Sequence, residues 1–162
     1  MKRVYVLDAS AWAKRYKEEK GSEWIYNLFM QAEKGEIDLC LLPISYYEVY
    51  WVVQKAIRTL KNRSSSERPQ MRFPIASPEQ IALLEQKIKE DWDLRQEISK
   101  LAPEPIANWS LDSIDRNVLS LMKRYPISPN DALILAVVSK LQQVLAEQNR
   151  QLFFCRLGSE TQ

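Results

Sequence analysis

The sequence predicts an α/β domain, a short, mostly parallel sheet with helices on both faces. Two observations predict it. Short apolar runs rich in β-branched and aromatic residues, such as "RVYVL", "IDLCL" and "QLFFC", are separated by much longer stretches of helical periodicity. Their order reads β-α-α-β-α-α-β-α-α-β, and short strands alternating with helices favour a parallel sheet covered on both sides.

The elements follow in order. "RVYVLDAS" begins as a strand and stops abruptly at Asp8, and "SAWAKRY" then makes a helical turn or two. In "GSEWIYNLFMQAEKGE", Ser22 is the expected N-cap, with Trp24, Ile25, Leu28 and Phe29 sharing one face. "IDLCLLP" is a second strand closed by Pro43. "ISYYEVYWVVQKAIRTLKNR" is a long helix, with Ser45 near its cap and Glu48 in its first turn. Composition then shifts to Ser, Arg and Pro in "NRSSSERPQMRFPIASP", which reads as a loop. Ser77, Pro78, Glu79 and Gln80 open a helix with a capping box, and it runs to the prolines of "PEP". "PIANW" reads as a third short strand and "SLDSIDRNVLSLMKRYP" as an amphipathic helix. "SPNDALILAVVSK" opens the next helix, expected to reach Glu147, and "QLFFC" is the last strand.

Bulk properties bound the chemistry. A chain of 162 residues with 46% apolar composition and 3 Gly is one domain, 1–162, with a real core. A net charge of +2 gives no strong global field for or against nucleic acid. Histidine is absent. That excludes histidine general bases, Ser–His or Cys–His triads and histidine-ligated zinc. Cys40 and Cys155 each sit in an apolar run and read as buried free thiols. No Gly-rich phosphate loop occurs. No apolar run approaches the roughly 18 residues of a membrane span, and charge returns at Asp8, which argues against a signal peptide. The expectation is a reduced, soluble, cytoplasmic protein without a membrane partner.

The helix of "SPNDALILAVVSK" has an aspartate at its mouth, followed by seven apolar residues in a row. Such a run fits a helix buried on most sides. Asp131 falls three residues after the cap Ser128 and serves the positive end of the helix dipole there. Asp8 caps the short helix after the first strand, and Glu48 answers Ser45 in the same way. A second account joins all three. In a parallel sheet ligands bind beyond the carboxyl ends of the strands, where topology puts Asp8 and Glu48. Two carboxylates about 4 Å apart repel by roughly 4 kcal/mol at an effective dielectric near 20. A hard divalent cation, Mg²⁺ or Mn²⁺, relieves that repulsion through oxygen ligation.

The segments "VYVLDASAWAKRYKEEKGSEW", "LPISYYEVYW" and "YPISPNDALILA" resemble, in order, those of the PIN domain family, and especially its bacterial VapC-type toxins. The likeness covers both ends and most of the chain. The region at about 59–101 matches poorly and reads as an extended loop-plus-helix insertion. The resemblance implies a three-layer α/β/α sandwich and a metal-dependent endoribonuclease, using Mg²⁺ or Mn²⁺. Its acidic, metal-ligating and catalytic site falls on Asp8, Glu48 and Asp131, and Ser10 matches the hydroxyl residue that supports the first acid. The family usually carries a fourth acid after the last strand. Here the equivalent positions hold Arg156 and Leu157, and Glu160 stands a few residues later as a displaced candidate.

Two functional readings stay open: a PIN-type ribonuclease, and a degenerate PIN-like module that binds RNA or protein. An aspartate after the first strand also occurs in receiver and haloacid-dehalogenase-like folds. Ser10 stands where the dehalogenase pattern needs a second Asp, and the receiver's further acids are not found. For an RNA substrate the nearest cations are Lys14 and Arg15, with Lys17 beyond. Arg58, Lys61, Arg63, Arg68 and Arg72 form a second group. The resemblance also implies a small antitoxin as partner and a homodimer. Tyr46, Tyr47, Tyr50 and Trp51 exceed what one helix face needs for packing, so some suit an interface.

Overall fold

β-Branched and aromatic residues form a parallel sheet of order β2-β1-β3 in the computed structural model, which describes residues 2–62, 70–95 and 111–155. β1 is Arg3–Leu7, β2 is Ile37–Leu41 and β3 is Leu152–Cys155. Val6 pairs with Cys40 on one side and Phe154 on the other; Leu7 pairs with Leu41 and Cys155. The carboxyl ends of all three strands therefore form one edge.

Six helices accompany them among the described residues: α1 (Ala9–Ala13), α2 (Ser22–Glu33), α3 (Pro43–Asn62), α4 (Pro78–Asp93), α5 (Leu111–Arg124) and α6 (Pro129–Glu147). Side chains alternate across a strand, so the sheet feeds two cores. Leu7, Ile37, Leu39 and Leu41 pack with the apolar faces of α1 to α4. Val4, Val6 and Cys40 face the other way, onto Ile134, Val138, Leu141 and Leu145 of α6. α5 packs along α6. The result is an α/β/α arrangement of three layers. Ala132 to Val138 are each buried or half-buried, which accounts for the unbroken apolar run.

Several boundaries differ from expectation. The N-cap of α2 is Gly21, not Ser22, because the chain enters that helix at φ 88°, a left-handed conformation glycine adopts without steric cost. Ser22 lies inside the helix, buried, and its Oγ accepts from the Glu19 amide at 3.0 Å. Trp24 turns away from the face formed by Ile25, Leu28, Phe29 and Ala32 and is exposed, its ring edge-on to Tyr5. α3 begins at Pro43 itself, since proline suits a first helical turn that needs no amide donor. Ser45 thus sits within the first turn and Glu48 one turn later than expected. α4 stops at Asp93 rather than at the prolines, where Arg95 turns back to donate to the Trp92 carbonyl at 2.8 Å. Ser77 does cap α4, and the Gln80 side chain accepts from the Ala76 amide, completing the box one residue early. The expected strand "PIANW" and the prolines of "PEP" lie outside the described residues.

Candidate active site

The chain leaves β1 at Leu7 and Asp8 stands immediately beyond, in extended conformation, as the N-cap of α1. Its Oδ1 accepts from the Ala11 amide and from Ser10 Oγ, both at 2.7 Å. Its own amide donates to the Cys155 carbonyl at 3.2 Å, carrying the β1–β3 ladder one residue past the strand. Asp8 is 7% exposed. The thiol of Cys155 is pushed up to about 11, first by burial and then by the negative charge of Asp8. Cys40 is pushed up to about 12 by burial. Both cysteines are buried and free, as expected.

α6 reaches the same edge from the other direction. It leads into β3 through a short link at 148–151, and β3 runs parallel to β1. The end of α6 therefore lies at the amino edge, and its first turn at the carboxyl edge. Ser128 caps it: Ser128 Oγ accepts from the Asp131 amide at 3.1 Å and donates to Asp131 Oδ2 at 2.9 Å. The capping reading of Asp131 holds.

Glu48, in the second turn of α3, is half-buried. Its Oε1 accepts from Asn130 Nδ2 at 3.0 Å. The helix after β2 is thereby joined to the first turn of α6, one residue from Asp131. In the first turn of α3 the Ser45 hydroxyl is fully buried, with no hydrogen-bond partner among the described residues.

Glu48 and the Asp131 turn are thus brought together, and Asp8 lies at the end of the neighbouring central strand. Among the described residues, however, no group of three or more acids, cysteines or histidines could hold a metal ion as its side chains stand. The hydrogen bonds show where these carboxylates are held instead. Each carboxylate has a nearby donor for one oxygen, Ser10 and Ala11 for Asp8, Asn130 for Glu48 and Ser128 for Asp131, and mutual repulsion favours such local partners over convergence. Glu160, Arg156 and Leu157 lie outside the described residues.

Of the two cations near Asp8, Arg15 is a correction. Arg15 does not face a substrate; it is 1% exposed. Its Nε donates to Asp91 Oδ2 at 3.3 Å and its second guanidinium nitrogen reaches Glu33 at 3.1 Å. The guanidinium also lies over the rings of Tyr26 and Phe29. Asp91 of α4 in turn accepts from Tyr16 Oη at 2.9 Å, and Tyr16 accepts from Trp12 Nε1 at 2.9 Å. Burial, then the charge of Asp91, hold the Tyr16 phenol well above its ordinary range. Arg15 is a buried clamp because a charge this deep must be paired. Lys14 is half-buried, donates to the Lys20 carbonyl at 2.7 Å and pairs with Glu19 at 3.3 Å. Arg72 pairs with Glu23 at 3.1 Å.

The aromatics of α3 divide. Tyr46 is partly buried, packed on Trp12 and Trp92. Tyr47 is 72% and Trp51 58% exposed. Sequence reasoning missed Asn130 and Asp91, and the contact of the Cys155 strand end with Asp8. The place of Asn130 beside Asp131 in "SPND" was a usable signal; nothing local marks Asp91 as a partner of Arg15.

Among known protein families, a family model described as PIN domain matches residues 5–158. Comparisons with curated proteins and with solved structures give no match.

Proposed function

The chain belongs to the PIN domain family, and from that premise we propose that it is a metal-dependent endoribonuclease, the toxin of a cytoplasmic toxin–antitoxin pair, with Asp8, Glu48 and Asp131 as its acids. PIN domains are generally nucleases, so the coarse class, a hydrolase of nucleic acid, comes with membership. No helix among the described residues is long and apolar enough to cross a membrane.

The donor set suits Mg²⁺ or Mn²⁺: carboxylate oxygens are hard ligands, and the chain has no histidine. When bound, such a cation supplies positive charge to the scissile phosphate and lowers the pKa of an attacking water. The residues themselves do the rest. Ser10 and the Ala11 amide orient one oxygen of Asp8 at the end of β1. Asn130 holds Glu48 toward α6. Asp8, Glu48 and Asp131 would hold the cation, Asp131 from the first turn of α6. The observation that carries the reading is the Asn130–Glu48 hydrogen bond, which unites two of the three acid-bearing turns at the edge where β1 delivers Asp8.

The test is cleavage of single-stranded RNA with added Mn²⁺ or Mg²⁺. Wild type should cut, and Asp8→Asn and Asp131→Asn should lose about 10²-fold or more, as expected when groups that stabilise transition-state charge are removed. Metal-independent cutting, or full activity in both variants, overturns the assignment of these acids.

The second reading, a degenerate binding module, is favoured by Arg156 and Leu157 in place of the fourth acid. One missing anionic ligand implies at most one well-occupied metal in the free protein and slow cleavage favouring Mn²⁺. Leu157→Asp should then raise metal-dependent cleavage, while Glu160→Gln changes little. Robust wild-type cleavage abolished by Glu160→Gln would make Glu160 the displaced ligand. No cleavage by either wild type or Leu157→Asp would leave the binding module.

A further inference from the structure

α3 carries large aromatic side chains into solvent directly beside Glu48. At 100° per residue, Tyr47, Trp51, Lys55 and Arg58 fall on one face of the helix, opposite the buried Val49, Val53 and Ala56. Lys55 and Arg58 are exposed. The Arg58 guanidinium lies 5.6 Å from the centre of the Trp51 ring. Neither cation forms an ion pair among the described residues. Along the helix axis Trp51 is about 4.5 Å and Arg58 about 15 Å beyond Glu48. Glu85 of α4, beside this face, has its Oε1 occupied by Tyr50 and Gln54.

We infer that this face of α3 is a single-stranded RNA track leading away from the acidic edge, with Trp51 and Tyr47 stacking on bases and Lys55 and Arg58 meeting phosphates. The inference rests on the ribonuclease reading for its substrate class. Aromatic rings interleaved with cations are how sequence-tolerant single-strand sites are built, because every base presents a π-face. A protein partner fits the face less well. Tyr, Trp and Arg also suit protein interfaces, but lysine is depleted there, and here Lys55 extends the stripe in line with Arg58. The face is continuous with the site: Glu48 and Tyr47 are adjacent, so a strand whose phosphate lies at the acids has neighbouring nucleotides over α3.

The experiment measures binding of a fluorescein-labelled single-stranded RNA to the full chain in EDTA, where metal-dependent cleavage is absent. Trp51→Ala should weaken binding about tenfold, Trp51→Phe should restore most of it, and Trp51→Leu should not. Arg58→Gln should lower the salt dependence of binding by about one phosphate contact. These side chains are exposed, so the variants should fold normally, and sedimentation of each checks oligomeric state. Wild-type affinity in Trp51→Ala, equal affinity in Trp51→Leu and Trp51→Phe, or no RNA binding by wild type overturns the track. Trp51→Ala that splits a dimer without changing RNA affinity also overturns it and makes the face a contact between chains. Failure of the nuclease reading shows separately, as absence of Mn²⁺-dependent cutting with Trp51-dependent binding intact.

Discussion

Asn130 donates its side-chain amide to Glu48 across 3.0 Å, joining residues 82 positions apart. The bond is exposed, so its contribution to stability is small, under about 1 kcal/mol. Its consequence is positional, because it fixes where Glu48 stands relative to the first turn of α6. Asn130→Ala should leave the apo melting temperature nearly unchanged and reduce the rise in melting temperature produced by Mn²⁺. Asn130→Asp adds a like charge beside Glu48 and should destabilise the apo protein slightly, with the deficit recovered in Mn²⁺ by mass action on the folded state. Equal Mn²⁺ responses in wild type and both variants would remove any role for this tether in metal binding.

Asp131 has a capping role in plain view and a ligand role by proposal. Asn keeps the hydrogen-bonding capacity and loses the charge. Asp131→Asn should cost at most about 1 kcal/mol in urea unfolding without metal, while the thermal shift with Mn²⁺ falls sharply. A mutant with an unchanged Mn²⁺ shift would leave capping as its whole function.

The Arg15–Asp91 pair is fully enclosed, its side chains 2% and 1% exposed. Removing one partner strands the other charge. Asp91→Leu and Arg15→Met should each cost about 3–5 kcal/mol, and the double variant should recover much of that loss, because a buried pair replaced by apolar residues is often neutral. Chemical denaturation of the three proteins measures this. A double variant as unstable as the sum of the singles would mean that Tyr16 and Lys87, which also bond Asp91, dominate the network.

Much of this architecture is legible in the chain because strand and helix periods differ. β1, β2 and β3 were each visible as short apolar runs, and α6 was readable from Ser128 to Glu147. The misplacements are at helix ends, the starts of α2 and α3 and the finish of α4. Gly21 rather than Ser22 caps α2 because backbone handedness, invisible in composition, decides the entry. Pro43 both ends a strand and begins a helix, which moved Glu48 by a turn. Asp8 and Asp131 were legible singly, at helix starts, and the relation of the Asp131 turn to Glu48 was not, since Asn130 meets Glu48 only through tertiary packing. Arg15 was misread for the same reason. A cation next to an acidic site looks like a substrate contact until Asp91, 76 positions away, is seen to bury it.

The two thiols make stability depend on alkaline pH. Their ordinary value is 9.0, and the folded protein raises Cys155 to about 11 and Cys40 to about 12. The folded state thus holds these protons more tightly than the unfolded state. The stabilisation is complete below pH 9 and is lost as pH rises through the folded values. Melting temperature should fall between about pH 9 and 12, less steeply in Cys40→Ala and Cys155→Ala than in wild type. Asp8→Asn, which removes the second cause of the Cys155 shift, should raise the rate of iodoacetamide alkylation at that thiol near pH 9.

The order β2-β1-β3 also governs when the molecule can form. Of the three described strands β1, the earliest in the chain, is the central one, and Val4 pairs with Leu152, almost the whole described chain apart. Such non-local pairing slows folding, because a long loop must close before the contact rewards it. The amide of Asp8 waits for the carbonyl of Cys155. During synthesis on the ribosome the acidic edge therefore lacks one wall until residue 155 has emerged.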